Sequence, residues 1–459
     1  MNRLTLLLVG VAAWCGAWSQ TWDRVLAPGV TFRMEVQADP ARTLYGIRVA
    51  PGSWGAESHL AKDKVYDETP YKGRDIVSKM VASTGAVAGI NGDFFQWGQD
   101  PGGDPEGLHV RAGELLSAPA AGVNRDHALV WRDGCAPAIE QHRWRATARI
   151  GDREVAVQGL NQRVGANRTV LFTDASGSLY GDAGPMACVV VKADAPYRLK
   201  PIDTLTGKVV AVLPEVTKMP VRYGTFVVAA SGERREALLG AKVGETATVE
   251  VDVSGSDWSL MDHAMGGGPV LLRSGENVVN AANDPRHPRS AVGVTADGEV
   301  WYVVVDGRQT VSVGASLKEL ADLMKAWGCV EAFNLDGGGS SALHAYGLTL
   351  NRPSGGIERY VANGILLYGP PETQPLPEVK LAVPEAVRVG ETFAASLVVA
   401  GAAYAPDASD VVWACQGAAW VDQTGQVRCL TAGKATLTVW VRGAKVSVEF
   451  SVLPAQEFR

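Results

Sequence analysis

The chain has 459 residues, which is too long for one ordinary domain and predicts two or three folded units. Its composition is 46% apolar and 20% charged with 52 glycines, as is typical of a globular protein rich in strands and turns. The formal net charge of −6, with basic residues scattered along the chain, argues against a nucleic-acid partner.

The N-terminus has the pattern of a signal peptide. Arg3 supplies a positive charge, residues 4–14 form an apolar run, and small residues lie around Ala17 and Ser19. The run is too short to span a bilayer, and no later stretch reaches about 18 uninterrupted apolar residues. We expect residues 1–20 to direct export to a secreted, periplasmic or cell-surface location; the alternative is a buried N-terminal helix.

Two segments have helical spacing. The first covers residues 76–84, with Asp75 as its expected N-cap. The second covers residues 317–327, where Ser316 and Glu319 form a capping box before an apolar stripe. Short alternating strands are predicted over most of the remaining chain.

The two helices are followed by similar strands. "GAVAGINGDFF" follows the first and "GCVEAFNLDGG" follows the second, so Asn91 and Asp93 have the same spacing as Asn334 and Asp336. Chance is one explanation. The other is that two similar units present Asn-x-Asp turns to one cleft.

The stretch "AFNLDGGGSSAL" combines a carboxylate with an unusually bare main chain. Alternation along a strand places Asn334 and Asp336 on the same side. The three glycines that follow remove every Cβ, so their N–H groups can approach an oxyanion, and two serines add hydroxyl donors. A tight turn without a ligand is the alternative.

Two further segments suggest an anion site. "DPRHPRSAVGV" places Arg286, His287 and Arg289 at the start of a strand, and "VVVDGRQTVSVG" places Asp306 and Arg308 at the end of another. The planar guanidinium group binds phosphate bidentately, so paired arginines near carboxylates suit a sugar phosphate. Each arginine alone could equally be a surface charge or a structural ion pair.

The C-terminal part reads as a separate unit. Residues 370–379, "PPETQPLPEV", predict a proline-rich linker, and residues 380–455 carry short strands separated by glycine turns. This pattern resembles bacterial Ig-like domains, which would be a spacer or would contact cell-surface polymers or proteins. Cys415 and Cys429, on neighbouring predicted strands, could form a disulfide in an oxidising compartment.

The motifs "GINGDFF", "GGGPVLL", "HPRSAVGV", "VVVDGR", "NLDGGGSSAL" and "RYVANGILL" occur in the order found in phosphodiester glycosidases. The resemblance covers residues 75–369. It implies an α+β, strand-rich catalytic domain with few helices over residues 21–369, followed by the small all-β Ig-like sandwich. The linker and sandwich are not part of that resemblance.

The resemblance implies hydrolysis of a glycosyl phosphodiester, with a glycan or sugar-phosphate diester as substrate. Asp336 and Asp306 are the expected carboxylates at the reacting centre, and Arg289 and Arg308 the expected phosphate clamp. The residues expected to bind the substrate are Asn91, Asp93, His287, Arg289, Arg308, Asn334, Gly337, Gly338, Gly339, Ser340, Ser341 and Asn363. Phe94 or Phe95 could stack on a sugar, although core packing is the usual role of such a pair.

Other readings stay open at this point. No cofactor is certain. A divalent cation such as calcium is one option for a structural ion, although the sequence has no EF-hand spacing, and no His-x-x-x-His pair suggests zinc. One alternative function is a non-catalytic carbohydrate-binding or adhesive protein. Another is a serine hydrolase using Ser340 or Ser341, although the sequence has no Gly-x-Ser-x-Gly elbow.

Overall fold

A computed structural model describes residues 19–66, 73–96, 102–120, 125–182, 184–281, 283–370 and 378–456. Most of the expected signal peptide and of the proline-rich linker lies outside the described residues. Ser19 and Gln20, at the end of the expected signal peptide, begin the first strand.

Strands make up most of the described chain. Up to residue 370 they are β1 (Ser19–Ala27), β2 (Val30–Ala38), β3 (Ala41–Val49), β4 (Gly55–Leu60), β5 (Ala88–Asn91), β6 (His109–Arg111), β7 (Glu114–Ser117), β8 (His127–Trp131), β9 (Ala138–Gln141), β10 (Arg143–Ile150), β11 (Arg153–Ala156), β12 (Gly159–Leu160), β13 (Thr169–Phe172), β14 (Ser178–Tyr180), β15 (Met186–Ala193), β16 (Ile202–Val216), β17 (Lys218–Pro220), β18 (Thr225–Ala230), β19 (Thr246–Ser254), β20 (His263–Gly266), β21 (Val270–Arg273), β22 (Glu276–Asn277), β23 (Arg289–Thr295), β24 (Val300–Val305), β25 (Cys329–Asn334), β26 (Leu343–Ala345), β27 (Leu348–Thr349) and β28 (Asn363–Tyr368).

The helices of the described residues are few and short. The α-helices are α1 (Val77–Thr84), α2 (Arg235–Leu239) and α3 (Leu317–Ala326), and the 3₁₀ turns are Asp174–Ser176, Gly232–Arg234 and Gly338–Ser340. The strand-rich, mixed architecture expected from the sequence is therefore present.

Two sheets hold the segments singled out above. One has the order β1-β2-β3-β24-β23-β25-β21-β22, and the other has the order β27-β26-β5-β28-β4. They share a core that includes Phe32, Ile47, Ile90, Val304 and Phe333. Helix α3 packs on β21 and β25 of the first sheet, and α1 packs on β5 of the second.

A further pair of sheets is formed by strands that lie between β5 and β21 in the chain. The order β11-β10-β19-β16-β15-β18-β13-β12 forms an eight-stranded sheet, and β7-β6-β20-β8-β9 forms a five-stranded one. Their shared core contains Val110, Val130, Ala148, Val189 and Val249. The sequence did not separate this part from the rest of residues 21–369.

The two expected helices are present, and the capping of one differs from expectation. Helix α1 has Ile76 as its N-cap, so the assignment of Asp75 was wrong by one residue. The Asp75 carboxylate accepts the Ile76 N–H at 2.9 Å and pairs with Lys62. For α3 the predicted capping box is confirmed, because Ser316 and Glu319 bond each other's main chain.

The C-terminal residues form a β-sandwich. Its strands are β29 (Val379–Ala382), β30 (Ala386–Arg388), β31 (Thr392–Ala394), β32 (Ser396–Val399), β33 (Ala402–Tyr404), β34 (Val411–Gly417), β35 (Ala419–Val421), β36 (Gln426–Cys429), β37 (Gly433–Val441) and β38 (Ala444–Leu453). Cys415 and Cys429 lie on strands of two different sheets and are free thiols, so the suggested disulfide is absent.

The sandwich is not separated from the first unit. The rings of Tyr346 and Trp440 stack with their centroids 4.7 Å apart, and Val412, Ala414 and Trp440 belong to the core that also contains Phe32. Val25 N–H also donates to the carbonyl of Ser409 at 2.7 Å. The sandwich therefore packs against the first unit.

Within the described ranges, no helix has both the length and the apolar character needed to cross a membrane.

Candidate functional site

The two Asn-x-Asp turns adjoin each other. The side-chain amide of Asn91 donates to the carbonyl of Asp336 at 2.6 Å, and the Asp336 N–H donates to the carbonyl of Gly92 at 2.9 Å. The oxygen of the Asn91 side chain accepts from Ser290 Oγ at 2.7 Å and from Ala342 N–H at 3.2 Å. A fully satisfied buried amide therefore locks one turn against the other.

The register shows how closely the two units correspond. Asn334 on β25 lies opposite Ala291 of β23, and Asn91 on β5 lies opposite Gly364 of β28. One residue beyond each asparagine, the main-chain N–H donates across the same pair of strands: Leu335 to Ser290 at 2.9 Å and Gly92 to Asn363 at 3.1 Å. The equal spacing in the sequence thus corresponds to equal hydrogen bonding in space.

The two aspartates have different surroundings. Asp93 is buried, and its carboxylate accepts the N–H groups of Phe94 and Gly107, each at 2.7 Å. Burial raises the pKa of Asp93 to about 7, against the lowering effect of Arg125 and these two bonds. Within this environment Asp93 ties Phe94 to Gly107 and has a structural role.

Asp336 lies at the start of the glycine loop and is partly exposed. Burial raises its pKa to about 6, although hydrogen bonds from Ser340 and Gly337 and the charge of Arg359 lower it. Glu106 adds a further rise. A carboxylate with this pKa is mostly ionised at neutral pH yet basic enough to accept a proton from water.

The glycines of the loop make room for cations. A Cβ on Gly339 would overlap the Arg359 guanidinium, whose three nearest atoms lie within 2.9 Å of that position. Gly338 has a φ of 63°, and the nearest atom to its Cβ position is Nη2 of Arg308 at 3.2 Å. The bare main chain expected to approach an oxyanion is thus packed beside two guanidinium groups.

These groups line an open cleft of about 530 Å³. Three of its residues are arginines, namely Arg74, Arg308 and Arg359. The whole lining is Arg74, Arg308, Gly339, Ser354, Gly355, Ile357, Glu358, Arg359 and Tyr360. Asp336 is outside this lining, but the loop that it begins supplies Gly339, and the charge of Arg359 acts on its carboxylate. Three guanidinium groups in one cavity can bind an anion.

His287 lies beside this cleft. Its Nδ1 is 3.3 Å from Nη2 of Arg308, and its main chain pairs with Ala315 in both directions. Burial and the charges of Arg308 and Arg289 hold the pKa of His287 below its usual value. At neutral pH the imidazole is uncharged and can accept from Arg308, which fixes the guanidinium group.

Arg289 makes contacts near the start of α3, and its expected place in the phosphate clamp stays a prediction. Its Nη2 pairs with Asp284 at 2.6 Å, and its Nε donates to the carbonyl of Ala315 at 2.9 Å. Asp284 also accepts the N–H of Leu317 at the first turn of α3. The side chain of Arg289 therefore fixes the start of α3, and the structure does not place it in the cleft lining.

Asp306 is also outside the cleft lining. It is buried, accepts from Asn351 Nδ2 at 3.1 Å and from Arg352 N–H at 3.0 Å, and has its pKa raised by burial to about 7. Asn351 in turn donates to the carbonyl of Ser341 at 3.1 Å. The carboxylate is thus linked to the glycine loop through Asn351, and its expected place at the reacting centre stays a prediction.

The three asparagines expected to bind sugar are buried. Asn91 bonds the two turns as described, Asn334 donates to the carbonyl of Gly268 at 2.8 Å, and Asn363 has no exposed surface. Ser340 and Ser341 are also buried, and Ser340 bonds Asp336 and lies 3.5 Å from Nη1 of Arg359. Of this group Ser340 has the most direct connection with the cleft.

Neither Phe94 nor Phe95 has an open ring face on which a sugar could stack. Arg125 lies over the Phe94 ring with its guanidinium carbon 3.8 Å from the centroid, and it pairs with Glu106 at 3.3 Å. Phe95 is buried in the core around α1. Core packing is thus the role of Phe95.

Arg74, Arg359 and Tyr360 were missed as cleft residues. Arg359 and Tyr360 begin the motif "RYVANGILL", in which only Asn363 was assigned a role. Arg74 directly precedes Asp75 at the start of α1. Their position within that motif could have indicated Arg359 and Tyr360. No motif of the sequence includes Arg74.

Calcium or another divalent cation stays untested. Across the ranges that the structure describes, no group of three or more His, Cys, Asp or Glu side chains is arranged to hold a metal ion.

Comparison with known families agrees with the motifs. A family model described as phosphodiester glycosidase matches residues 204–368. This segment, which contains Arg308, Asp336 and Arg359, is the part of the chain that is similar to that family. The match indicates a glycosidase and does not identify its substrate.

A curated relative and two solved structures extend the comparison. The SPbeta prophage-derived uncharacterized protein YomE of Bacillus subtilis strain 168 is 40% identical over 85 residues, 18% of this chain and 13% of that protein. A hypothetical protein from Synechocystis has a TM-score of 0.62 at 20% identity, covering 76% of this chain and 63% of its own. An exported-protein candidate from Burkholderia pseudomallei K96243 has a TM-score of 0.64 at 18% identity, covering 77% and 97%. The two structures share the fold.

Proposed function

We propose that this chain is an exported hydrolase that cleaves a glycosyl phosphodiester by attack of water at the anomeric carbon. The observation that carries the proposal is the position of Asp336 beside a cleft lined by Arg74, Arg308 and Arg359. The family match over residues 204–368 supports the same class of reaction.

The chemistry needs little acid assistance. The oxygen of water bonds to the anomeric carbon, the bond from that carbon to the phosphate oxygen breaks, and a phosphate monoester leaves with the bridging oxygen. Because the leaving group is a stable anion, guanidinium groups can stabilise the charge that develops on it. Asp336 accepts the proton that the attacking water gives up.

Supporting roles are proposed for three further residues. Arg308 and Arg359 flank the glycine loop that begins at Asp336, so a phosphate bound between them would lie next to the carboxylate. Ser340 hydrogen bonds to Asp336 and orients it. Export is supported by the signal-peptide pattern and by the description of the Burkholderia structure as an exported protein.

The test is hydrolysis in ¹⁸O water by the purified full chain, with a panel of sugar 1-phosphate diesters. Glycosidase chemistry places the label on the anomeric hydroxyl, whereas attack at phosphorus places it on the released phosphate. Asp336→Asn should abolish release of reducing sugar. Asp297→Asn, in the exposed turn between β23 and β24, is the matched control.

Two results would contradict the proposal. Label on phosphate would mean a phosphodiesterase, and binding of every diester without turnover would favour a non-catalytic carbohydrate-binding protein. The serine hydrolase alternative is tested separately, because a fluorophosphonate probe would label Ser340 or Ser341 only if one of them is an activated nucleophile.

A further inference from the structure

The C-terminal β-sandwich contacts residues 349–352, which directly precede the part of the chain that lines the cleft from Ser354 onwards. Gln416, the penultimate residue of β34, donates through its side-chain amide to the carbonyls of Thr349 and Asn351, each at 2.9 Å. In the opposite direction, Nη2 of Arg352 donates to the carbonyl of Gly417 at 2.6 Å. Three hydrogen bonds thus join the sandwich to residues 349–352.

The same segment holds the glycine loop from behind. Asn351 donates to the carbonyl of Ser341 at 3.1 Å and accepts the Leu343 N–H at 2.8 Å. It also donates to the buried carboxylate of Asp306. A displacement of Asn351 would therefore reach the residues that follow the loop beginning at Asp336.

The segment is also connected along the chain to two of the three cleft arginines, Arg308 and Arg359. Arg352 exchanges two hydrogen bonds with Gln309, the neighbour of Arg308: its Nη1 donates at 2.5 Å and its carbonyl accepts at 2.6 Å. Past Arg352 the chain runs through Ser354 and Ile357, which line the cleft, to Arg359. Residues 349–352 thus anchor the start of the cleft-lining segment that runs to Arg359.

We propose that Gln416 is a positioning residue for the cleft, and that the C-terminal sandwich is a working part of the site although it lies outside the matched family segment. The amide of Gln416 holds two carbonyls at once, which a single NH₂ group with two donors can do. The expected effect on kcat/KM rests on the proposed function. The expected effect on hydrogen exchange over residues 343–360 does not.

The experiment compares Gln416→Glu with the wild-type full chain. Glutamate keeps the shape but replaces the donor by an oxygen that repels both carbonyls. Gln426→Glu is the matched control, because Gln426 is exposed on β36 of the same sandwich and the charge change is identical. Gln416→Asn, which retains a donor, tests for partial rescue.

The first measurement is amide hydrogen exchange over residues 343–360. Loss of two hydrogen bonds should speed exchange there about tenfold or more in Gln416→Glu, with no change in β10 or β19. The Gln426→Glu control should leave exchange unaltered throughout. A global acceleration would mean that the variant destabilises the whole fold, and it would overturn the local role.

The second measurement is turnover of the sugar 1-phosphate diester that the wild type cleaves best. We expect kcat/KM to fall about tenfold in Gln416→Glu, mainly through KM, with Gln416→Asn intermediate. Unchanged exchange and unchanged KM would overturn the proposal while leaving the glycosidase function intact. Conversely, faster local exchange in a chain that cleaves no diester would refute the glycosidase function and retain the structural role.

Discussion

The side chain of Asn91 donates to the main-chain carbonyl of Asp336 at 2.6 Å, so the two equally spaced Asn-x-Asp segments hold each other. The contact is between unlike partners: the asparagine of one unit supports the aspartate of the other. This arrangement fixes the main chain at Asp336 while its carboxylate remains partly exposed. A fixed carboxylate beside cationic side chains is the starting point of the predictions below.

Activity should depend on the ionisation of Asp336. Because its pKa is raised to about 6, kcat/KM should rise with pH through that value and level off above it. Replacing Arg359 by Gln removes a charge that lowers this pKa, so the rise should move to higher pH. The measurement is kcat/KM between about pH 5 and about pH 8. An unshifted profile in Arg359→Gln would contradict the electrostatic coupling.

The arginines should separate into two groups. Arg308→Gln and Arg359→Gln should lower kcat/KM about 100-fold, because each removes a donor from the cleft. Arg289→Gln should instead lower the free energy of unfolding by about 1–3 kcal/mol, because it leaves the carboxylate of Asp284 unpaired. Urea unfolding and steady-state kinetics on the same samples test this. A large catalytic loss in Arg289→Gln without loss of stability would return it to the phosphate site.

Glycine should be required at one cleft position and dispensable at another. Gly339→Ala places a methyl group against the Arg359 guanidinium and should lower kcat/KM about tenfold. Gly355→Ala, in the same cleft, has its nearest neighbour 3.9 Å away and should change kcat/KM less than about twofold. Equal effects in the two variants would contradict the role assigned to the space that Gly339 leaves for Arg359.

Asp306 should make stability depend on pH. Its pKa in the folded protein is about 7, above the ordinary value of 3.8, so its protonated form favours folding. That contribution is complete below about pH 4 and is lost as the pH rises to about 7. Asp306→Asn should therefore reduce the fall in unfolding free energy between about pH 5 and about pH 8 by on the order of 2 kcal/mol. Asp93→Asn should do the same, whereas the exposed control Asp297→Asn should not.

The sequence predicted the features that depend on local spacing. The capping box of α3 and the correspondence between Asn91 and Asn334 follow from residues close together in the chain, and both are present. Arg289 and Arg308 look alike in sequence, and what separates them is Asp284, which pairs with Arg289. Asp284 begins the same segment, but the spacing does not indicate whether it pairs with Arg286 or with Arg289.

Burial and long-range contacts account for the other differences. Asp306 is enclosed by Asn351 and Arg352, 45 and 46 residues away, so its exposure could not be read from "VVVDGR". Gln416 bonds residues 65 and 67 positions away from it, in a part of the chain that was assigned no role in the site. Such contacts are set by how the units pack and leave no pattern in either segment alone.

The contact between Asn91 and Asp336 joins positions 245 residues apart. Bringing such distant segments together costs chain entropy that only long-range packing can offset, so this contact should form late in folding. During synthesis, the residues of α1 and β5 would be made long before those of β26 and β28, the strands that pair with β5. Any secretion route that delivers this protein unfolded would thus deliver it inert, and hydrolytic capacity would begin only once the last third of the polypeptide had arrived.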